Sequence, residues 1–507
     1  MSRREGLEYT GILAGGFRQD IHRRWPHYRS DFGQGLHSKV VGSVFFLFFA
    51  CLANAIAFGA LTGAMTGGEI GIVEMLIATA FGGIVYSLFS GQPLTLLGGT
   101  GPIVIFTALL YELCKTKGIP FLPMYAWVGM WSGGFLVLCA LTDLSFLMRF
   151  FTRFTDEIFS VLIALIFILE AVRHLFVPVF NGSAGQTQLL GIILGLGTYQ
   201  IARNLKGIGK TPYLRHSVRE FIADFGPAIA IMVMTFSALL FPKIPLDLPL
   251  VPTTIEPSVP RAWIVNMADL PLHLRFYAAF PALLVSILLF LDQNITTRLV
   301  NSPQNRLKKG SGFHLDLCVV GLITCFTSVF GLPWIVAATV HSLNHVRSLA
   351  DVRPGNEAGK EVIVHVRENR VSGLFIHLLM ASSLLFLGFV DFIPLPVLYG
   401  LFLFMGLTTL QGNQMFERLK LWVMDPTRFP RVHYIRSVPL KSIHKFTLIQ
   451  LICLMGLWGL KVSKWGILFP LFIAALVPVR MFLSRWFKLS ELRFLDSDEE
   501  DSEDLLV

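Results

Sequence analysis

Residues 91–106, GQPLTLLGGTGPIVIF, combine a strongly apolar composition with two prolines and four glycines. Proline and glycine are the poorest helix formers, and an unpaired backbone N–H or C=O group in hydrocarbon is costly. Non-helical backbone at membrane depth is therefore tolerated only where it lines a cavity inside the protein. The stretch is either a loop outside the membrane or the lining of a site, and the rest of the sequence decides between them.

The composition is that of a polytopic membrane protein. Of the 507 residues, 54% are hydrophobic and only 15% are charged, whereas soluble domains carry about 25% charged residues. The N-terminal 30 residues are polar and basic and lack the apolar core of a cleaved signal peptide. Six cysteines at irregular spacing form neither a metal-binding pattern nor a disulfide framework, and we interpret them as small buried hydrophobic residues.

Fourteen apolar segments are candidates for membrane spans, since a hydrocarbon core of about 30 Å needs about 20 helical residues. They are 40–65, 70–90, 94–114, 122–144, 155–178, 187–206, 219–241, 276–300, 314–331, 333–349, 371–391, 394–412, 446–461 and 465–485. With a cytoplasmic N-terminus, about 34 of the 42 Lys and Arg residues fall in cytoplasmic segments, as the positive-inside rule requires. The net charge of +9 is then an insertion signal, and no nucleic-acid partner is expected.

The predicted organisation is a cytoplasmic N-terminal segment, seven spans, an extracytoplasmic loop, seven further spans and an acidic cytoplasmic tail. The corresponding ranges are 1–39, 40–241, 242–275, 276–485 and 486–507. Asn181 begins an acceptor-type glycosylation sequon on the extracytoplasmic side. The sequence DSDEEDSED at 496–504 predicts a disordered tail, and RFTDEIF at 153–159 predicts an amphipathic entry to span 5 with its acids at the surface.

A second broken span occupies the matching place in the second half of the chain. Span 10 begins with FGLPWIVAATVHSLNHV at 330–346, and in a seven-plus-seven division both broken spans are the third member of a repeat. An odd number of spans per half makes the halves inverted, and paired Gly/Pro-interrupted spans indicate a transporter's binding site. We therefore expect extended backbone at 92–99 and 332–337.

Half-helices are expected to start near Thr100–Pro102 and Ala338–Thr339. Two helix N-termini that face one pocket present free N–H groups and partial positive charge, which suit an anion. The alternative is that the glycines only permit tight helix packing.

Ionisable residues inside the spans are candidates for a cation site. Asp292 lies in the strongly apolar span 8, and Thr296 follows one turn later on the same helix face. This pair suits sodium, which prefers oxygen ligands, although a protonatable carboxylate or a structural hydrogen bond are alternatives. His341 is either a titratable anion ligand or a packing residue. Inter-span hydrogen bonding or an interfacial position is expected for Glu69, Glu74, Glu170 and Asp224.

The sequence shows no phosphate-binding loop, metal cluster or nucleophile–base pair, so neither an enzyme nor a cofactor is expected.

Five motifs resemble the bicarbonate-transporter superfamily, which holds anion exchangers, sodium-bicarbonate cotransporters and borate exporters. They are GQPLTLLGGTGP (91–102), LDQNITTRLV (291–300) followed by LKKGSGFHLDL (307–317), GLPWIVAATV (331–340), PLPVLYGLFLFMGLTTLQG (394–412) and VPLKSIHKFTLIQL (438–451). The resemblance covers about residues 10–490. It implies an all-α fold of fourteen spans in a seven-plus-seven inverted repeat, in which a core domain (spans 1–4 and 8–11) moves against a gate domain (spans 5–7 and 12–14), and a homodimer in the plasma membrane.

The resemblance also implies roles for individual residues. Thr100, Gly101, Ala338 and Thr339 match the family's anion site, and Asp292 matches the acidic residue of span 8. The motif Asp-Gln-x-Ile-Thr at 292–296 is similar to the motif of sodium-coupled members, whereas exchangers usually carry glutamate at the position of Asp292. His341 departs from both branches, since exchangers carry arginine there and sodium-coupled members an apolar residue. With about 39 residues before span 1, docking to the cytoskeleton is not expected.

The leading hypothesis is therefore sodium-coupled transport of bicarbonate or carbonate by alternating access. Sodium would bind at Asp292 and Thr296, and the anion would bind at the half-helices and His341. The alternatives are chloride/bicarbonate exchange, borate export and, from another class, an anion channel.

Overall fold

In a computed structural model of the chain, the described residues are 6–496 except 36, 181–184, 210, 250–251, 253, 355–360, 390–391, 431 and 464. Three predicted features lie outside the described part: the sequon asparagine Asn181, the side chain of Asp224, and all but the first residue of the predicted disordered stretch 496–504.

The first half of the chain is helical apart from one short strand. Its elements in chain order are α1 (Gly15–Arg24), α2 (Tyr28–Gly33), α3 (Ser38–Met65), α4 (Ile72–Phe89), β1 (Leu97–Gly98), α5 (Gly101–Lys117), α6 (Phe121–Leu141), α7 (Arg153–Phe180), α8 (Gln186–Ile208) and α9 (His216–Ala238).

The second half adds more helices and three strands. Its elements are α10 (Leu272–Tyr277), α11 (Ala279–Val300), α12 (Phe313–Val329), β2 (Val336–Ala337), α13 (Thr339–Leu349), β3 (Ala350–Pro354), β4 (Glu361–Val366), α14 (Val371–Ser383), α15 (Leu395–Leu410), α16 (Gln414–Lys420), α17 (His433–Ser437), α18 (Leu440–Val462), α19 (Phe469–Ala474), α20 (Leu476–Leu483) and α21 (Leu489–Leu495). Strand β3 pairs with β4 in an antiparallel hairpin.

Helical segments overlap all fourteen predicted spans within the described residues, but fewer are long and apolar enough to cross a membrane as single helices. Eight segments of the described chain meet that test: Ser38–Met65, Ile72–Phe89, Phe121–Leu141, Arg153–Phe180, Leu272–Val300, Val371–Gly388, Leu440–Val462 and Gly466–Leu483. The pair α15 and α16, bent by 78°, would be a ninth. Helices α5, α12 and α13 are too short, with 17, 17 and 11 residues. The count of fourteen spans therefore stays a prediction.

The chain divides into two compact units. The first contains residues 1–148 and 174–401, and the second contains residues 149–173 and 402–507. These units do not coincide with the expected core and gate sets, because α8 and α9 fall in the first unit, and the division into core and gate stays a prediction. The physical reason is aromatic packing of α9 on α3, where the Phe225 ring lies 5.8 Å from Phe46 and 5.5 Å from Phe49.

Close helix packing and buried ion pairs hold the first unit together. A Cβ on Gly133 of α6 would lie 2.5 Å from the Gly321 carbonyl oxygen of α12, so these backbones approach as small residues permit. The short N-terminal helices attach through Asp31, which pairs with Arg24 at 3.4 Å, Lys309 at 2.5 Å and Arg370 at 3.2 Å.

The second unit has its own buried polar cluster around Glu157. This carboxylate pairs with Arg418 and with Arg153 at 3.0 Å, and it accepts a hydrogen bond from Gln450 Nε2 at 3.0 Å. Glu157 is only 5% exposed. The expectation that both acids of RFTDEIF lie at the surface is therefore wrong for Glu157, because its charge is neutralised inside the unit.

Candidate substrate site

The two interrupted segments cross each other, and both are extended where they meet. The first is not extended over all of 92–99 as predicted, because Pro93 and Leu94 form a turn in which the Thr95 N–H donates to the Gln92 carbonyl at 3.2 Å. Leu97–Gly98 pairs in antiparallel fashion with Val336–Ala337, and the Ala338 N–H donates to the Leu96 carbonyl at 2.9 Å. The outer end of the first segment is fixed by Asp316, whose Oδ1 accepts from the backbone N–H groups of Gly91 at 2.6 Å and Gln92 at 3.1 Å. Irregular backbone thus finds its hydrogen-bond partners inside the protein.

The predicted helix starts are confirmed. Helix α5 begins at Gly101 with Thr100 as N-cap, and α13 begins at Thr339 with Ala338 as N-cap. Both helices begin within three residues of the short ladder, and the antiparallel pairing sends them away from it in opposite directions. The partial positive charge of two helix N-termini is therefore concentrated beside the ladder.

Neither helix N-terminus is capped by a side chain. An N-cap threonine usually accepts a hydrogen bond from the second or third helical N–H, but Thr100 Oγ1 instead donates to Asp292 Oδ2 at 2.8 Å. The second helical residue, Pro102, has no N–H, and Ala338 has no side-chain acceptor. The first turns of both helices therefore keep N–H groups for another acceptor.

Helix α11 connects the two half-helices through one face. Besides the Asp292 contact with Thr100, Thr296 Oγ1 lies 2.7 Å from Thr339 Oγ1 and 3.3 Å from the Ala337 carbonyl oxygen. These contacts bring Asp292 and Thr296, one turn apart, to opposite half-helices. Asp292 is 8% exposed, so its carboxylate is largely removed from solvent.

Gln293 on α11 forms hydrogen bonds with both α4 and β2. Its Nε2 donates to the Tyr86 hydroxyl at 2.9 Å, and its Oε1 accepts from the Ala337 N–H at 3.2 Å. Gln293 therefore positions β2 against α11 and α4. The sequence alone predicted no role for Gln293, although it lies beside Asp292 in the motif at 291–300.

His341 lies on α13 but is engaged with helix α3. Its Nε2 lies 3.2 Å from the Ala50 carbonyl oxygen. Because a carbonyl oxygen only accepts, we assign the hydrogen to Nε2, which leaves Nδ1 as an acceptor in the neutral ring. A neutral His341 in this arrangement accepts hydrogen bonds at Nδ1, and it would donate to an anion there only after protonation.

A narrow cleft lies between α3, α4 and the two extended segments. Its lining consists of Cys51, Asn54, Ala55, Thr79, Leu97, Gly98, Gly99, Ala338 and His341. Asn54 Nδ2 donates to the Gly99 carbonyl at 3.3 Å. In this conformation the cleft is too narrow to admit a water-sized sphere.

Asn54 and Thr79 were not among the predicted site residues. A polar amide within span 1 was a usable signal for Asn54, whereas an isolated threonine in an apolar helix carries none. Glu74 lies outside the cleft and accepts hydrogen bonds at the start of α4, from Gly71 N at 2.9 Å and Ser258 N at 2.8 Å. Glu170 belongs to α7 in the second unit.

The sequence matches the family described as HCO3- transporter integral membrane domain over residues 12–183 and 178–500. It is 36% identical to human sodium bicarbonate cotransporter 3 and 36% identical to human Band 3 anion transport protein, each over 97% of this chain. It is also 36% identical to the bovine sodium-driven chloride bicarbonate exchanger, again over 97% of this chain. The chain spans 46%, 57% and 50% of these relatives, about half of their length.

Solved structures share the fold at low sequence identity. The transmembrane domain of a cyanobacterium bicarbonate transporter, BicA, aligns with a TM-score of 0.57 and 15% identity over 83% of this chain and 97% of that one. The structure of SLC26A9 aligns with a TM-score of 0.58 and 14% identity over 87% of this chain and 66% of that one. The extent of the family match settles membership: this chain belongs to the HCO3- transporter family, whose members are multi-pass membrane transporters and not enzymes.

Proposed function

We propose that the chain carries bicarbonate or carbonate across a membrane by alternating access, coupled to sodium. The observation that carries this proposal is the pair of contacts made by α11, Asp292 to Thr100 and Thr296 to Thr339. One helix face thus joins a carboxylate and a hydroxyl to the uncapped N-termini of both half-helices. The names of the relatives, which include sodium bicarbonate cotransporters and exchangers, support the same substrate class.

In this proposal the two halves of the site have different roles. Asp292 and Thr296 supply oxygen ligands to the cation, and the starts of the half-helices, at Thr100–Gly101 and Ala338–Thr339, receive the anion. A bare carboxylate beside the ladder repels an incoming anion. Sodium at Asp292 would remove that repulsion, so each ion favours binding of the other, which is the thermodynamic content of coupling.

The same proposal includes the membrane topology, domain division, oligomeric state and location of the protein. They are fourteen spans in an inverted repeat, core and gate domains, a homodimer, cytoplasmic termini and a location in the plasma membrane. The narrow cleft supports alternating access, because substrate entry requires the surrounding elements to separate.

Electroneutral chloride/bicarbonate exchange is the second candidate. The similarity to Band 3 supports it, and His341 in the cleft lining would then replace the arginine of exchangers. Its Nε2 contact with the Ala50 carbonyl means that His341 must be protonated before Nδ1 donates to an anion. Among the described contacts none favours borate, so borate export ranks third.

Uptake of labelled bicarbonate into proteoliposomes, with sodium and chloride gradients imposed separately, tests the proposal. We expect an inward sodium gradient to drive uptake, and the same gradient of potassium serves as the control. Uptake driven only by chloride on the opposite side of the membrane would show that the protein is a chloride/bicarbonate exchanger and not a sodium cotransporter. Currents that need neither gradient would indicate a channel, and no bicarbonate flux with either gradient would overturn the proposal and make borate the next substrate to try.

A further inference from the structure

Thr79 on α4 differs from several other buried threonines of the first unit, whose hydroxyls bond to their own helix. The hydroxyls of Thr62, Thr107 and Thr324 each donate to the carbonyl four residues earlier in their helix, at 2.7, 2.9 and 2.8 Å. Thr79 is 1% exposed, yet its Oγ1 has no hydrogen-bond partner among the described residues. A buried hydroxyl without a partner costs free energy, so its presence calls for a physical reason.

The position of Thr79 supplies that reason. Thr79 lines the cleft together with Gly98, Gly99, Ala338 and His341, beside the two uncapped helix N-termini. This hydroxyl is an observation independent of the helix ends, and it indicates that the cleft holds a ligand able to hydrogen-bond with it.

The other groups of the cleft determine which hydrogen bond the ligand needs from Thr79. Backbone N–H groups at the helix starts donate to the oxygens of an anion. Asn54 Nδ2 also donates, although to the Gly99 carbonyl in this conformation. Bicarbonate differs from chloride and nitrate because it carries one O–H group, which requires an acceptor. The Thr79 oxygen accepts no hydrogen bond from the described residues, so its lone pairs are available to the O–H of bicarbonate.

We propose that Thr79 is a specificity-determining residue whose hydroxyl accepts a hydrogen bond from the O–H of a hydrogen-bearing oxyanion, with bicarbonate as the substrate. This inference rests on the proposed function. A site built to hydrogen-bond a substrate hydroxyl discriminates against analogues that lack it, because the site's own polar group is then left unpaired. Nitrate is the informative analogue, since it is a planar monoanion like bicarbonate but has no hydrogen.

The test uses the full chain in proteoliposomes with the variants Thr79→Val and Thr79→Ser. The KM for labelled bicarbonate is measured together with the inhibition constants of nitrate and chloride as competitors. Thr79→Val keeps the side-chain volume and removes the hydroxyl, whereas Thr79→Ser keeps the hydroxyl. Thr62→Val is the matched control, because it removes a buried hydroxyl that bonds its own helix.

We expect Thr79→Val to raise the KM for bicarbonate about tenfold while the inhibition constants of nitrate and chloride stay within about twofold, as loss of one hydrogen bond to substrate predicts. Thr79→Ser should restore the wild-type ratio, and Thr62→Val should leave it unchanged. Equal weakening of all three anions, or no change in any, would overturn the inference. If both variants fail to fold, the ratio of bicarbonate to nitrate affinity in the wild-type chain decides: equal affinities contradict the inference.

Failure of the proposed function is recognised separately. In that case the wild-type chain itself shows no saturable bicarbonate uptake, and the inference is overturned with it. Bicarbonate uptake in the wild-type chain with an unchanged ratio in Thr79→Val rejects the role of Thr79 alone.

Discussion

The two half-helix starts are alike in backbone and different in charge. Helices α5 and α13 both follow extended segments, both lack a side-chain cap and both contact α11. At α5 the contact is a carboxylate, because Thr100 bonds to Asp292. At α13 the contact is a neutral hydroxyl, because Thr339 bonds to Thr296. The same backbone arrangement thus places an ionisable carboxyl group beside the start of α5 and a neutral hydroxyl beside the start of α13.

Under the proposed sodium-coupled transport, this difference would let one small site bind ions of opposite sign. A carboxylate near an N-terminus offsets the positive end of the helix dipole, so the α5 end favours a cation or a proton more than the α13 end does. The α13 end keeps its positive potential for an anion. Substitutions that remove the asymmetry should therefore uncouple the two ions before they abolish binding of either.

The largest effect is expected from Asp292→Asn, which makes the α5 end uncharged like the α13 end. Sodium-dependent uptake of bicarbonate should fall by at least about tenfold, equivalent to about 1.4 kcal/mol, because a charged ligand of the cation is lost. Uptake is measured as a function of sodium concentration at constant ionic strength. Asp269→Asn, at an exposed position of the short 3-10 helix Met267–Asp269, is the control. Unchanged sodium dependence in correctly folded Asp292→Asn protein would rule out the cation site.

A smaller effect is expected at the α13 end from Thr296→Val, Thr339→Val and the double variant. Each single change should weaken bicarbonate binding a few-fold. Because the two hydroxyls bond to each other, the double-mutant cycle should give a coupling free energy of about 0.5–1.5 kcal/mol. Titration of the purified variants with bicarbonate gives the four affinities, and Thr324→Val on α12 is the control. Strictly additive effects would mean that the contact does not matter for binding.

His341 offers a further test of the difference between the starts of α5 and α13, because it is a titratable residue of α13 that lines the cleft. If protonated His341 binds the anion, His341→Ala should weaken bicarbonate binding a few-fold more at pH 6 than at pH 8, since a larger fraction of the imidazole is protonated at the lower pH. The titrations at pH 6 and pH 8 cover the same range of bicarbonate concentrations. His273→Ala, outside the cleft, is the control. Equal losses at both pH values would assign His341 to helix packing through Ala50.

The smallest effect on transport is expected from Asp20, which lies in α1 away from both half-helices. Its Oδ2 accepts from the N–H groups of His314 at 2.8 Å and Leu315 at 3.1 Å, yet burial, partly offset by these bonds and by Arg23, raises the pKa of Asp20 to about 7. Since this value exceeds the unfolded value of about 3.9, the group's contribution to stability is complete below pH 4 and is lost as the pH rises to 7.

Asp20→Asn should remove this loss. The melting temperature of Asp20→Asn minus that of wild type should be larger at pH 8 than at pH 5, by roughly 2 °C or more. Thermal unfolding in detergent at both pH values measures the difference, and the affinity for bicarbonate should be unchanged. A constant offset between the two proteins would show that Asp20 does not titrate in this range.

Much of the architecture was predictable because it depends on local composition. Hydropathy located the segments that the helices overlap, and the Gly/Pro interruptions located the starts of α5 and α13 to within a residue. Glu157 shows the limit of such reasoning. Its helical pattern predicted a surface position, but Arg418, far away in the chain, neutralises it in the interior.

The sequence by itself determined that this is a multi-pass membrane protein with two interrupted apolar segments, since apolar length, proline and glycine act locally. Its resemblance to the bicarbonate-transporter family rested on five motifs. Only the tertiary structure decided that Leu97–Gly98 pairs with Val336–Ala337 and that Asp292 is bonded to Thr100. It also decided that the Thr79 hydroxyl lines the cleft with no hydrogen-bond partner among the described residues. These contacts join residues far apart in the chain. No local pattern encodes them, because they form only when separate helices pack around the same backbone crossing.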